Sequence, residues 1–246
     1  MVDRASAAVV QRGDGVPPVI VAHRGAWEQA PQNSLEAVRQ AVALGCDAIE
    51  IDVRRTADGR MVIVHDARVR LRPVGRLDHH QVLSRVQVGQ APLLDHVLEQ
   101  AAGRILVDVE LKEDGYVTRA MAAIAARLTP DQYVVTSFRP AILAQAKRHL
   151  PEVRTGLLLG PRGAPHAGRR LREAGADFLA PHVSLARVGV LDWAASRGLA
   201  CWVWTVNDAA TLRALSADVR VAALITDTPG QALGLSHVVD LADSRE

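Results

Sequence analysis

Eight apolar, β-rich runs alternate with Ala/Leu/Arg-rich helical stretches along 246 residues. That alternation predicts an α/β fold with a parallel sheet, and eight is the number of strands that closes a (β/α)8 barrel. The length suits one such barrel.

The elements follow in order. Residues 1–17 read as a loose leader, because ASAAVV is too short for a secretory h-region despite Arg4 and Arg12 nearby. PVIVAH (18–23) is apolar and β-branched, a first strand. PQNS (31–34) opens a helix over 34–44, with Asn33 expected as its N-cap and Glu36 as capping-box partner. DAIEIDV (47–53) is the second strand. Asp58-Gly59 is a tight-turn signal, so MVIVH (61–65) reads as a β-hairpin excursion from strand two. Residues 67–91 are polar and weakly periodic, and read as a short cap insertion beside the mouth. Strands then fall at 104–111, 132–136, 154–159, 177–181, 200–206 and 222–226. Helices fall at 92–102, 116–128, 139–149, 167–174, 187–197 and 208–215, with a last one near 230–240. No second domain, repeat or low-complexity tract interrupts 18–246.

Composition narrows the function. Hydrophobic residues make up 49 %, and no apolar run approaches the roughly 20 residues of a membrane helix. A net charge of +2 gives no reason to expect nucleic acid as a partner. Only Lys112 and Lys147 among the 29 basic residues are lysines, which makes Lys112 conspicuous beside a glutamate. The Ala- and Arg-rich composition suggests a bacterial chain, and two isolated cysteines, Cys46 and Cys201, favour a cytoplasmic one.

Side chains alternate across a strand. In DAIEIDV, Glu50 and Asp52 share one face and Ile49, Ile51 and Val53 the other. In LVDVELK, Asp108, Glu110 and Lys112 share a face. With the apolar face packed on helices, the carboxylates point into the barrel near its C-terminal end, where barrel active sites lie. Glu50, Asp52 and Glu110 then converge. Three clustered carboxylates need a counter-charge, and one divalent cation, Mg²⁺ or Ca²⁺, fits oxygen ligands. His23 ends strand one and His65 ends the hairpin strand. Two imidazoles at one rim suit the base and the acid that phosphodiester cleavage requires. Arg24 and Lys112 suit phosphate oxygens. Trp204 is placed to wall the pocket and Trp202 to fill the barrel.

These residues resemble the glycerophosphodiester phosphodiesterases, which show HRG, PENT or PENS, ExDV, TxDG, HD and ExK. Here they stand as His23-Arg24-Gly25, Pro31-Gln32-Asn33-Ser34, Glu50-Ile51-Asp52-Val53, Thr56-Ala57-Asp58-Gly59, His65-Asp66 and Glu110-Leu111-Lys112. Weaker echoes are Ser137-Phe138, Trp204-Thr205-Val206-Asn207 and Ile225-Thr226-Asp227, so that the resemblance spans roughly residues 19–230. It implies a TIM barrel and metal-dependent hydrolysis of a glycerophosphodiester to glycerol 3-phosphate and an alcohol. It also implies that His23 and His65 are the acid/base pair, that Glu50, Asp52 and Glu110 hold the metal, and that Arg24 and Lys112 contact phosphate. Two departures stand out. Gln32 replaces the family's usual acid, and Asp108 adds a carboxylate where a neutral residue is common. Both are expected just behind the metal ligands. The stretch between His65 and Glu110 is short for the family. An open mouth of that kind admits a lysophospholipid, so a lysophospholipase D is an alternative, marked by an apolar channel through Val69, Leu71 and Trp204. A non-catalytic barrel binding a phosphorylated ligand is the other. Oligomeric state is not legible.

Overall fold

The computed structural model describes residue 12 and residues 16–235. The leader, apart from residues 12, 16 and 17, and the end of the expected last helix lie outside these residues. Strands β1 (Val19–His23), β2 (Ala48–Arg55), β6 (Leu106–Leu111), β7 (Tyr133–Ser137), β8 (Thr155–Leu159), β9 (Phe178–Pro181), β10 (Cys201–Val203) and β11 (Val221–Thr226) pair in parallel, each with the next. β1 pairs with both β11 and β2, which closes the barrel. Helices α1 (Leu35–Leu44), α3 (Leu94–Ala101), α4 (Val117–Ala125), α5 (Pro140–His149), α6 (Ala167–Ala174) and α9 (Ala209–Ser216) lie between successive strands. The fold is the (β/α)8 TIM barrel that the alternation predicts.

Burial follows the strand parity. Ile49, Ile51, Val53, Val107, Val109 and Leu111 join the large cluster that contains the helix faces. Ala48 and Leu106 fall in a second cluster with Val19, Val21, Phe178 and Trp202, the filling of the barrel itself. Trp202 is fully buried and lies 4.8 Å from the Phe178 ring, centroid to centroid. Gly156 makes room for that ring, since a Cβ there would stand 2.3 Å from it. Small and large residues thus alternate across a filled interior. Above this filling the inward positions are Glu50 and Asp108, paired across β2 and β6, and one step further along Asp52 and Glu110.

Three elements differ from expectation. Ser34, not Asn33, caps α1, its hydroxyl accepting from the Ala37 N–H at 3.0 Å. Asn33 has φ 54° and turns its side chain to β2 instead. The helix expected over 187–197 is confined to α8 (Val190–Ala195), which starts after Gly189 with φ 82°, and a separate short helix, α7 (Val183–Ala186), precedes it. The insertion at 67–91 is no bare loop. A two-stranded ribbon, β4 (Arg68–Val69) with β5 (Arg72–Pro73), and helix α2 (His79–Leu83) follow β3 (Met61–Ile63), the hairpin partner of β2. Val69, Val74, Leu77 and Val82 pack there against Val62 and Val64 as a small separate core. Its apolar residues are too sparse to show a period in sequence.

Gly156→Ala is expected to lower stability by about 1–3 kcal/mol, because the new Cβ would stand 2.3 Å from the fully buried Phe178 ring. Thermal unfolding checks this, and an unchanged midpoint would mean that the barrel filling is looser than the geometry indicates.

Candidate active site

The loop after β1 is built to reach β2. Arg24 and Gly25 both take left-handed backbone, φ 60° and 81°. Gly25 has to be glycine on a second count, since a Cβ would stand 2.7 Å from Ala37 Cβ. The turn aims the Arg24 N–H at Glu50 Oε2, 3.1 Å away, and brings Arg24 Nε to 3.3 Å from Asp52 Oδ2. Asn33 closes the loop: its N–H donates to the Arg24 carbonyl at 2.9 Å and its side-chain amide to Asp52 Oδ2 at 2.8 Å. Gln32 Oε1 accepts from Arg24 Nη1 at 2.8 Å, behind the carboxylates.

Glu50, Asp52 and Glu110 are all buried, and each offers an oxygen within 4.8 Å of the others. Lys112 Nζ sits 2.6 Å from Asp52 Oδ1 and 2.5 Å from Glu110 Oε2. The lysine backbone is set by Tyr116, whose hydroxyl accepts from the Lys112 N–H and donates to the Val53 carbonyl. Glu50 Oε1 and Glu110 Oε1 are buried with no hydrogen-bond partner. Burial raises Glu110 to about 7, with Lys112 offsetting part of the effect. Burial, with Asp52 and Glu110 beside it, also pushes Glu50 upward. At Asp52 burial acts the same way, but Lys112 and Arg24 outweigh it and hold the group at about 2. Burial acts to lower Lys112, and its carboxylate neighbours overcome that and raise it.

A spread of 4.8 Å matches ligand oxygens around one ion at metal–oxygen distances of about 2.0–2.6 Å. Two buried carboxylate oxygens without a partner are what a hard cation satisfies. The donor set therefore fits a divalent ion.

Both histidines are tethered at Nδ1. A carboxylate can only accept, so each pairing fixes a proton on Nδ1 and leaves Nε2 free in the neutral ring. His23 Nδ1 donates to Asp227 Oδ1 at 2.7 Å, and Asp227 is itself held by Asn207 Nδ2 at 2.7 Å. Burial acts to raise Asp227, yet the His23 and Asn207 contacts lower it on balance. His65 Nδ1 donates to Asp66 Oδ1 at 2.8 Å, and the His65 carbonyl is gripped by Arg54 at 2.9 and 2.8 Å. Burial lowers the His65 pKa, which favours the unprotonated ring.

Six of these groups face one cavity of about 190 Å³, and Asp52 is not among its lining residues. His23, Arg24, Glu50, His65, Glu110 and Lys112 line its charged side, and Phe138, Leu158, Trp204 and Ile225 its apolar side. Trp204 is held by its Nε1–H to the Ala180 carbonyl at 2.8 Å and packs edge-on with Phe138. Val69 and Leu71 do not extend this wall. Val69 is buried in the insertion's own core, and Leu71 is 86 % exposed. His182 packs against Trp204 and caps α7. Asp108 forms the floor, fully buried, with Oδ1 accepting from Thr136 Oγ1 at 2.7 Å. Burial raises it to about 8. Cys46 and Cys201 are both buried and unpaired, far from this chemistry in role.

Asp227 and Asn207 carry no weight in a residue-by-residue reading, although both stand in the echoes after strands seven and eight. The signal available was position: each follows a strand end at the rim that holds His23.

A barrel with an acidic centre and two tethered imidazoles at its C-terminal mouth is a phosphoester-processing type of site. A family model described as the glycerophosphoryl diester phosphodiesterase family matches residues 23–231, and the chain belongs to that family. A glycerophosphodiester phosphodiesterase of Caldanaerobacter subterraneus subsp. tengcongensis is 28 % identical over 160 residues, covering 57 % of this chain and 66 % of that protein, just under two thirds of its length. Two solved structures share the fold at 23 % identity. One is a glycerophosphodiester phosphodiesterase from Parabacteroides distasonis, with TM-score 0.77 over 90 % of this chain and 98 % of that one. The other is an Oleispira antarctica phosphodiesterase in complex with the product sn-glycerol-3-phosphate, with TM-score 0.76 over 89 % and 96 %.

Asp108 offers a direct check on site electrostatics. Its folded pKa of about 8 lies above the ordinary carboxylate value, so between those pH values the folded state holds one more proton than the unfolded chain. Folding stability therefore falls as pH rises through that window. Asp108→Asn keeps the Thr136 contact and removes the penalty. In EDTA the variant is expected to gain stability over wild type as pH rises from about 4 to 8, by up to about 1.4 kcal/mol per unit. A gap independent of pH would show that Asp108 is ionised throughout.

Proposed function

We propose that the protein is a metal-dependent phosphodiesterase that hydrolyses glycerophosphodiesters to glycerol 3-phosphate and an alcohol. One observation carries the reading: a buried cluster of three carboxylates adjoins a single cavity that two of them line together with two cations and two Nδ1-tethered imidazoles. Family membership and the product-bound Oleispira antarctica relative support it.

Glu50, Asp52 and Glu110 would hold a Mg²⁺ or Ca²⁺ ion. When bound, such an ion polarises a phosphoryl oxygen and lowers the pKa of a hydroxyl beside it. Arg24 binds the phosphate oxygens and neutralises charge on them. Lys112 neutralises Asp52 and Glu110, and with a cation held on those carboxylates its ammonium would be available to the phosphate. His65, whose pKa burial lowers, takes at Nε2 the proton of the water that attacks phosphorus as the new P–O bond forms. His23 acts as the imidazolium, its Nδ1 proton held by Asp227, and gives its Nε2 proton to the departing alkoxide as the P–O bond breaks. Asp227 keeps that ring in the tautomer and orientation the transfer needs. The apolar wall of Phe138, Leu158 and Trp204 favours the non-phosphate part of the substrate, which keeps lysophospholipids within reach of the same chemistry.

Release of glycerol 3-phosphate from glycerophosphocholine and glycerophosphoethanolamine, with EDTA, Mg²⁺ and Ca²⁺ in parallel, tests the reading. Metal-dependent release is expected. No release from either substrate, nor from lysophosphatidylcholine, under any ion overturns catalysis in favour of ligand binding. Glu50→Gln is expected to abolish the rise in melting temperature on adding the ion. Metal-dependent melting that survives the change would remove Glu50 from the ligand set.

His23→Ala and His65→Ala are each expected to lower turnover at least roughly 10²-fold with the fold retained. Asp227→Asn should lower kcat by roughly tenfold or more with little change in KM, because it disturbs a proton carrier and not substrate contact. A pure KM effect would place Asp227 outside proton transfer.

A further inference from the structure

The insertion at 67–91 carries five arginines and one aspartate, in a chain whose net charge is only +2. Arg68, Arg70, Arg72 and Arg76 are exposed, and among the described residues none of the five arginines forms an ion pair. Arg68, Arg70 and Arg85 line a groove of about 260 Å³ whose single carboxylate is Asp66. His65 lines this groove and the active-site cavity alike, so the two open side by side.

The same insertion holds the two most exposed large hydrophobic side chains described, Leu71 at 86 % and Val88 at 94 %. Each adjoins a groove residue, Arg70 and Gln87 respectively. The ribbon turn is the more telling. Val69 pairs with Arg72, so Arg70 and Leu71 are the two central turn residues, with φ 45° and 67°. Both angles positive is the turn that Asn-Gly fills without strain. An arginine and a leucine there cost backbone energy, and the fold gains nothing from either side chain, since both point into solvent. The tip is therefore built to meet something outside the chain that takes cations and an aliphatic group together.

We propose that this face docks on an anionic lipid surface, with the arginines on the headgroup phosphates and Leu71 and Val88 entering the headgroup–acyl boundary. Arginines around exposed aliphatic tips are the chemistry of interfacial binding, in which basic residues and buried apolar area act together. Docked in this way, the groove and His65 face the interface from which lipid-derived diesters come. The inference is independent of the reaction chemistry proposed above.

Flotation with vesicles of phosphatidylcholine, alone or mixed with phosphatidylglycerol, tests it on the full chain. Binding is expected to the mixed vesicles only, and to weaken as NaCl rises. Arg70→Glu with Arg72→Glu should reduce partitioning by roughly fivefold or more per arginine. Leu71→Ser should reduce it by about tenfold. Hydrolysis of water-soluble glycerophosphocholine should not change in either variant, which separates this test from that of the active site. Equal binding to pure phosphatidylcholine, no binding at low salt, or undiminished binding by either folded variant overturns the proposal. Retention by polyglutamate without vesicle binding also overturns it and assigns the face to an acidic protein.

Discussion

The mouth of the barrel depends on keeping one buried carboxylate ionised. Asp52 is 1 % exposed, and burial alone would protonate it. Three groups from three segments prevent this: Arg24 from the loop after β1, Asn33 from the start of α1, and Lys112 from the end of β6. None of them reaches Asp52 by regular structure. Arg24 and Asn33 do so only because both residues take left-handed backbone and bond to each other. Strain in that loop is the counterpart of a charge held inside the barrel. The same turn delivers the Arg24 N–H to Glu50, so one loop conformation positions two of the three candidate ligands.

Around Asp52 the other carboxylates behave oppositely. Glu50, Asp108 and Glu110 share its burial but have fewer cations, and all are pushed upward. Arg24 and Lys112 together offset fewer charges than the site contains when all acids ionise. The deficit is what a divalent cation would remove. Lys112 already bridges Asp52 and Glu110, which stops the two strands from repelling each other at the level where the metal ligands meet.

What sequence could show here was whatever depends on period two. The inward set Glu50, Asp52, Asp108 and Glu110, and the outward set Ile49, Ile51, Val107 and Val109, follow from strand parity alone, and the structure has both. The barrel likewise follows from counting alternations. What escaped was set by long-range contact. Asp227 becomes the partner of His23 only because β11 closes against β1, 204 positions away in sequence. Asn33 has the residue type of a helix cap, and loses that place to Ser34 because Asp52 competes for its amide. The insertion hides its core because Val69, Val74, Leu77 and Val82 pack across a ribbon, a turn and a helix, so no single period runs through them.

The exchange of charges between positions 32 and 108 has a physical reading. Gln32 still gives Arg24 Nη1 an acceptor at 2.8 Å, so the guanidinium keeps a hydrogen bond where the family's usual carboxylate is absent. What is lost is one negative charge close to Arg24, leaving more of that cation's field for Asp52 and for an incoming phosphate. Asp108 does not return that charge. With a pKa of about 8, and with Thr136 satisfying one oxygen, it is mostly a neutral carboxylic acid near pH 7. It therefore adds an O–H donor at the cavity floor while adding little negative charge near pH 7. Near neutral pH this mouth is less negative than its list of acids suggests, which suits a site that must admit a phosphodiester anion.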